Sequence, residues 1–180
     1  MNQASVSPRY GKLSMTLHWL MLALFVGVYG CIELKGLLPR ENALRGFFLG
    51  MHSLFGLSIF ALVWIRLLGR LTPAPSISPT PPGWQTGMAH LMHLALYALM
   101  IATPILAWLM LAAAGKPVPY FEFFLPAPVA VDPAFAKQLK GWHELLGNAG
   151  YWLIGLHAAA GLAHHYLIKD DTLKRMLPRR

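Results

Sequence analysis

A chain of 180 residues and 19.9 kDa has the length of one domain, but its hydrophobic share of 56% leaves room for only 12% charged residues, about half the usual ~25%. Such a chain cannot cover a water-facing surface, cannot be disordered, and with one cysteine (Cys31) cannot be a disulfide scaffold. Its net charge of +8 would suit nucleic acid, but a mean hydropathy of +0.49 excludes that partner and points to an integral membrane protein whose Lys and Arg set orientation.

Four apolar stretches follow in chain order, at about 15–34, 47–68, 88–114 and 143–168. Each has the ~20 residues that cross a ~30 Å hydrocarbon core as a helix. The expected fold is therefore all-α, a membrane four-helix bundle forming a single transmembrane domain over 1–180. The first stretch is too long for a signal peptide's apolar core, is followed by Glu33 and Lys35 rather than a cleavage site, and reads as a retained helix. The first loop holds Pro39 and two arginines. The second, 69–87, has five prolines between Pro73 and Pro82 and reads as an extended strap. The third, 115–142, carries Tyr120, Phe121, Phe123, Phe124 and Leu125, which suit a segment at the membrane interface.

Alternating helices put Arg9, Lys12, Arg66, Arg70, Lys169, Lys174, Arg175, Arg179 and Arg180 on one side, nine against the six of Lys35, Arg40, Arg45, Lys116, Lys137 and Lys140. The positive-inside rule then places both termini in the cytoplasm.

All eight histidines fall in or at the ends of the apolar stretches. Ionisable residues there are costly and mark function by default. A lone one is more often a hydrogen-bonding residue between helices, but eight of eight favours ligands. His143 and His157 are 14 residues apart, ~3.9 turns and ~21 Å, so one helix offers two imidazoles on one face at two depths. His52 on the second helix is level with His143, and His18 on the first with His157. Two bis-histidine levels in a bundle core suit two haems. The absence of CxxCH makes them b-type. Gly147, Gly150, Gly50 and Gly56 leave room for a macrocycle or, alternatively, allow close helix packing. Zinc or copper fits less well, since no cysteine or carboxylate stands near enough to complete a site. His164, two turns past His157, would sit just below the inner pair, with His90 and His93 at the same depth. A histidine there suits a quinone carbonyl and its proton. His165 and His90 read as solvated interfacial residues.

The segments LHWLM, GMHSLFG, GMAHLMHLALYALM and GWHELLGNAGYWLIGLHAAAGLAHHYLIKDDTLKRMLPR resemble the bacterial cytochrome b561 family over essentially the whole chain. The fourth-helix pattern H-x13-H-x6-HH is the most specific part. The resemblance, nearest to the family's small stand-alone members, implies an oxidoreductase that takes electrons from superoxide on the periplasmic side and passes them through two haems to ubiquinone near the cytoplasm. It implies His52 and His143 as outer ligands, His18 and His157 as inner ligands, and His164 at the quinone, with His93 as a further candidate. The similar members use a second-loop lysine at the quinone. This chain has no lysine between Arg70 and Lys116, and Thr80 stands at about that place.

Superoxide is an anion, so a cationic rim would raise its local concentration. Arg45, Lys137 and Lys140 are the candidates, against the plainer reading of flanking charges. Two other functions compete: a cytochrome subunit linking a periplasmic enzyme to quinone, and a non-enzymatic haem or metal carrier. Four helices and short tails argue against the first and two aligned levels against the second, so no obligatory protein partner is expected.

Overall fold

The computed structural model describes residues 9–71 and 76–177. Arg179, Arg180 and two of the loop prolines, Pro73 and Pro75, lie outside the described residues. Four long helices run in chain order, α1 (Lys12–Leu37), α2 (Leu44–Gly69), α3 (Gly83–Ala113) and α4 (Pro133–Ala163). The first three are long and apolar enough to cross a membrane. In lipid the backbone must satisfy its own hydrogen bonds, and a continuous helix does so. α4 is the more polar fourth helix and carries His143 and His157.

Three boundaries match the apolar stretches to within a few residues. The fourth does not, since α4 starts ten residues before the expected 143. The reason is a local stop and start signal: Asp132 Oδ1 accepts from Ala134 and Phe135 N–H at 2.9 and 3.0 Å, and Pro133 fills the first helical position. His143 is therefore ten residues inside the helix rather than at its start.

The third loop also departs from an all-helical reading. Val118–Tyr120 (β1) and Phe123–Leu125 (β2) form an antiparallel hairpin in the register Val118↔Leu125, with Phe121 at its tip in the left-handed region (φ 53). β1 lies against α2 and α3, and Tyr120 reaches Ser58 on α2 at 3.4 Å. Phe121, Phe123 and Phe124 are exposed, as an interfacial segment requires.

The packing has two halves. α1 runs along α2 and α3 along α4, while α2 touches α3 over a shorter stretch. Met21, Ile59, Val63 and Met100 form one buried cluster, and Ala113, Ala136 and Leu139 another. Large apolar side chains such as Leu37, Trp64 and Trp152 face outward, the inversion expected of a lipid-facing surface. Between α1 and α4 the backbones stay apart and side chains bridge: Tyr29 donates to Gly147 O at 2.9 Å, its ring meets Tyr151 at 4.2 Å, and Tyr151 donates to Glu33.

Both described ends of the chain lie at one face, called here the terminal face, the other being the distal face. Beyond Ala163 the chain makes a π turn (His164–Ile168), reverses at Lys169 (φ 62), and closes with a short 3₁₀ turn, Lys174–Met176. Tyr10 N–H donates to Arg175 O, Arg9 to Leu177 O and Trp19 Nε1 to Met176 O, so the tail folds back over the bundle.

Candidate haem and quinone sites

Toward the distal face, His52 on α2 and His143 on α4 meet with ring centroids 6.1 Å apart. Each is anchored through Nδ1, His52 to Val28 O at 2.9 Å and His143 to Thr103 O at 3.0 Å. A carbonyl only accepts, so Nδ1 carries the proton and Nε2 is left with its lone pair. That is the arrangement of a metal-ligating histidine, whose other ring nitrogen donates to a carbonyl or carboxylate. Imidazole–metal bonds of about 2 Å on opposite sides of one ion put ring centroids roughly 6 Å apart, so the pair fits one haem iron. Thr103 supplies its carbonyl from within α3, next to Pro104.

Toward the terminal face the sequence pairing His18–His157 has ring centroids 6.1 Å apart, but a third imidazole joins it. His93, expected only near a quinone, lies 5.7 Å from His157, with its Nδ1 buried and lacking a hydrogen-bond partner. Arg66, which in the sequence reads only as a flanking charge, reaches the same cluster. Its Nη2 donates to His18 Nδ1 at 2.9 Å and its Nε to the Tyr97 hydroxyl at 3.2 Å. A guanidinium only donates, so His18 Nδ1 accepts and its proton sits on Nε2. For His18 to bind iron through Nε2, that contact has to give way or the ring has to turn. The distal pair is thus set for a ligand as it stands, and the inner cluster is not.

The glycines divide. A Cβ on Gly50, Gly56 or Gly147 would meet nothing within 4 Å, whereas Gly150 has the Tyr29 hydroxyl pressed against it and Leu99 Cδ2 at 3.1 Å. Gly150 is therefore a close-packing glycine, not room for a macrocycle.

Below the inner cluster lies a cavity of about 220 Å³, whose lining includes Arg70, Gln85, His90, His93, His164 and Arg175. His164 is on its wall as the spacing requires. Thr80 is exposed and is not among the residues that line the cavity, whereas Ile77 and Pro81 from the same loop are. His90 is exposed, but His165, expected to be solvated, has its Nδ1 buried without a hydrogen-bond partner and its ring against Tyr166. His164 Nδ1 meets Asp170 Oδ2 at 2.5 Å. Burial works against ionising Asp170, but the His164 and Thr172 hydrogen bonds outweigh it and hold the carboxyl below its usual value. Asp171 ties the Pro-rich loop to the tail by accepting from Ser78 N–H at 3.0 Å, and stands 3.8 Å from Arg175.

The expected cationic rim is only partly available. Arg45 donates to Lys35 O and Leu38 O at 2.8 and 2.6 Å, closing the end of α1. Lys140 pairs with Glu144 at 2.8 Å. Lys137 is exposed and makes no ion pair among the described residues.

Apolar helices joined across a seam by facing imidazoles define a class, the membrane cytochromes that hold haem between helices. The chain belongs to the prokaryotic cytochrome b561 family, whose model matches residues 9–179, and it is accordingly a bacterial membrane b-type cytochrome of electron transfer. It is 37% identical over 173 residues to a protein named probable superoxide oxidase CybB in Yersinia pestis, covering 96% of this chain and 97% of that one. It is 36% identical, over 96% and 98% of the two chains, to cytochrome b561 homolog 1 of Escherichia coli K12, and 32% identical to homolog 2 of the same strain.

Proposed function

We propose that this chain is a superoxide:ubiquinone oxidoreductase of the bacterial inner membrane, a single domain with the terminal face in the cytoplasm and two haems b held between the α1–α2 and α3–α4 hairpins. The observation that carries the electron-transfer reading is the distal pair, two imidazoles with both Nδ1 atoms anchored on carbonyls. The name of the Yersinia relative supports superoxide as donor, and the excess of Lys and Arg near the termini supports the orientation.

In this reading His52 and His143 hold the outer haem and His18 and His157 the inner one, and haem b, when bound, supplies one-electron relays at two depths. Two superoxide anions give up two electrons and leave as dioxygen, and ubiquinone takes the two electrons with two protons to become quinol. The chain's part at the distal face is to draw in an anion, for which Lys137 is the available cation, and to keep both distal imidazoles fixed so that no reorganisation accompanies the transfer. At the terminal face the tail, α3 and the Pro-rich loop enclose the quinone, and His164 meets a carbonyl oxygen.

The test is stopped-flow mixing of the purified oxidised holoprotein with superoxide and then with ubiquinone-1. Haem bands that reduce rapidly and then reoxidise, with two haems per chain by quantitation, are the expected result. Bands unmoved by superoxide overturn the donor, and one haem per chain overturns the two-level assignment. His143→Ala should lose the same haem as His52→Ala, and His18→Ala the other.

A further inference from the structure

The π turn that ends α4 places a buried carboxylate against the histidine on the cavity wall. Lys169, in the left-handed region, sends the chain back so that Asp170 N–H donates to His164 O at 3.1 Å while its Oδ2 meets His164 Nδ1 at 2.5 Å. Its Oδ1 accepts from Thr172 N–H at 2.9 Å, so both carboxylate oxygens are engaged. The Asp170 side chain is 2% exposed and that of His164 23%. π turns of this kind are uncommon and frequently sit at functional sites.

We propose that Asp170 is the positioning residue of a proton-donating dyad, with His164 as the group that protonates the quinone oxygen in the cavity. The proposal rests on the quinone half of the reading above. An ionised carboxylate only accepts, so Nδ1 carries a proton and Nε2 is the ring atom left for a ligand. The cavity wall also carries Arg70 and Arg175, and His90 and His93 face it from α3, with Tyr10 from the chain's beginning. Protonating His164 in that company places a third cation beside two guanidinium groups. A buried counter-charge in direct contact is what makes an imidazolium tenable there. Asp171 is already engaged by Ser78 and Arg175, which leaves Asp170 for this role.

The step balances simply. The His164 imidazolium gives its Nε2 proton to a quinone oxygen, the carbonyl becomes a hydroxyl as the two electrons arrive, and the second oxygen takes its proton from water entering at the terminal face. The neutral ring keeps Nδ1–H on Asp170 and regains its Nε2 proton from water. Holding one tautomer for such a cycle is the role an aspartate plays behind a catalytic histidine elsewhere.

The experiment uses holoprotein reduced chemically with dithionite, without superoxide, and mixed with ubiquinone-1, alongside ¹⁵N-histidine spectra that report which ring nitrogen carries the proton. Asp170→Asn, which keeps the shape and an acceptor for Thr172, should retain both haem bands. Its maximal reoxidation rate should fall by about tenfold or more, short of the ~10²–10⁴-fold that a positioned proton donor supplies, because His164 itself remains, with less than a twofold change in half-saturating quinone. The Nδ1–H signal of His164 should be lost. Asp170→Glu, which restores the charge, should recover part of the rate. Wild-type reoxidation in Asp170→Asn, an unchanged His164 signal, or a raised half-saturation with an unchanged maximal rate each overturns the dyad. If the wild-type protein itself is not reoxidised by quinone, the quinone half of the proposed function falls and the dyad with it. If it is reoxidised by quinone but not reduced by superoxide, only the donor is wrong and the dyad stands on its own result.

Discussion

Six of the eight histidines are distinguished by what their Nδ1 atom meets. Those of His52 and His143 donate to carbonyls, that of His18 accepts a hydrogen bond from Arg66, that of His164 donates to a carboxylate, and those of His93 and His165 are buried without a hydrogen-bond partner. The same chain of reasoning separates the three cations proposed for superoxide. Arg45 is committed to the end of α1 and Lys140 is offset by Glu144, so steering should fall chiefly on Lys137. Lys137→Gln is expected to slow reduction by superoxide several-fold near 0.01 M salt, where the screening length is ~30 Å, and far less near 0.15 M, where it is ~8 Å. Arg45→Gln should instead lower the melting temperature with little effect on that rate. Stopped-flow traces across an ionic-strength series, with a thermal melt of each variant, check both. Much of this scale was legible in the sequence, because a 3.6-residue period fixes which histidines share a face and a depth. What was not legible depended on side chains arriving from elsewhere. Arg66 reads as a flanking charge near the end of its helix, and Asp170 reads as tail until the π turn folds it back.

Helix starts and interruptions, more than helix existence, decide where the ligands sit. Apolar runs alone locate α1, α2 and α3 closely, but α4 begins at a capping aspartate and a proline within a segment whose hydropathy is unremarkable, so its first ten residues look like loop in the sequence. The small hairpin was invisible for a related reason, since three-residue strands leave no periodic pattern. Glycines illustrate the same limit: Gly147 and Gly150 look alike in sequence, and the packing separates them. Gly150→Ala forces a Cβ against the Tyr29 hydroxyl and Leu99 and should cost about 1–3 kcal/mol, as overpacking does, with a melting midpoint several degrees lower. Gly147→Ala meets nothing in the haem-free chain and should leave its midpoint unchanged. A macrocycle lying along that face would be crowded by the new methyl, so haem content per chain should fall in Gly147→Ala. Melting of the haem-free variants together with haem quantitation decides the matter.

The molecule as a whole is two helical hairpins with a thin seam between them. Within each hairpin the helices pack along their length, while the seam between the hairpins is spanned by the His18–His157 and His52–His143 pairs, Tyr29 and the Tyr151–Glu33 contact. A ligand that joins His18 to His157 and His52 to His143 would act as a cross-strut between the halves. Protein made without haem should therefore melt lower, by about 2.7 kcal/mol of stability for a ligand held at a hundred times its Kd. Its amide exchange should rise first along the facing sides of α1 and α4 rather than inside either hairpin. Equal exchange throughout would mean that the hairpins do not open as units. The overall bundle followed from composition and histidine spacing, and the family from a resemblance in the segments around the histidines, but this division did not, because it reflects which helices touch and not which are apolar. The return of the tail over the bundle has a practical corollary. Arg9 and Leu177 are in contact, and Tyr10 and Arg175 both line the cavity beneath them. An affinity tag or reporter fused at either end is thereby tethered at the doorway through which a quinone would pass. An insertion at the exposed Phe121–Phe124 tip, on the opposite membrane face in the proposed topology, would leave that doorway clear.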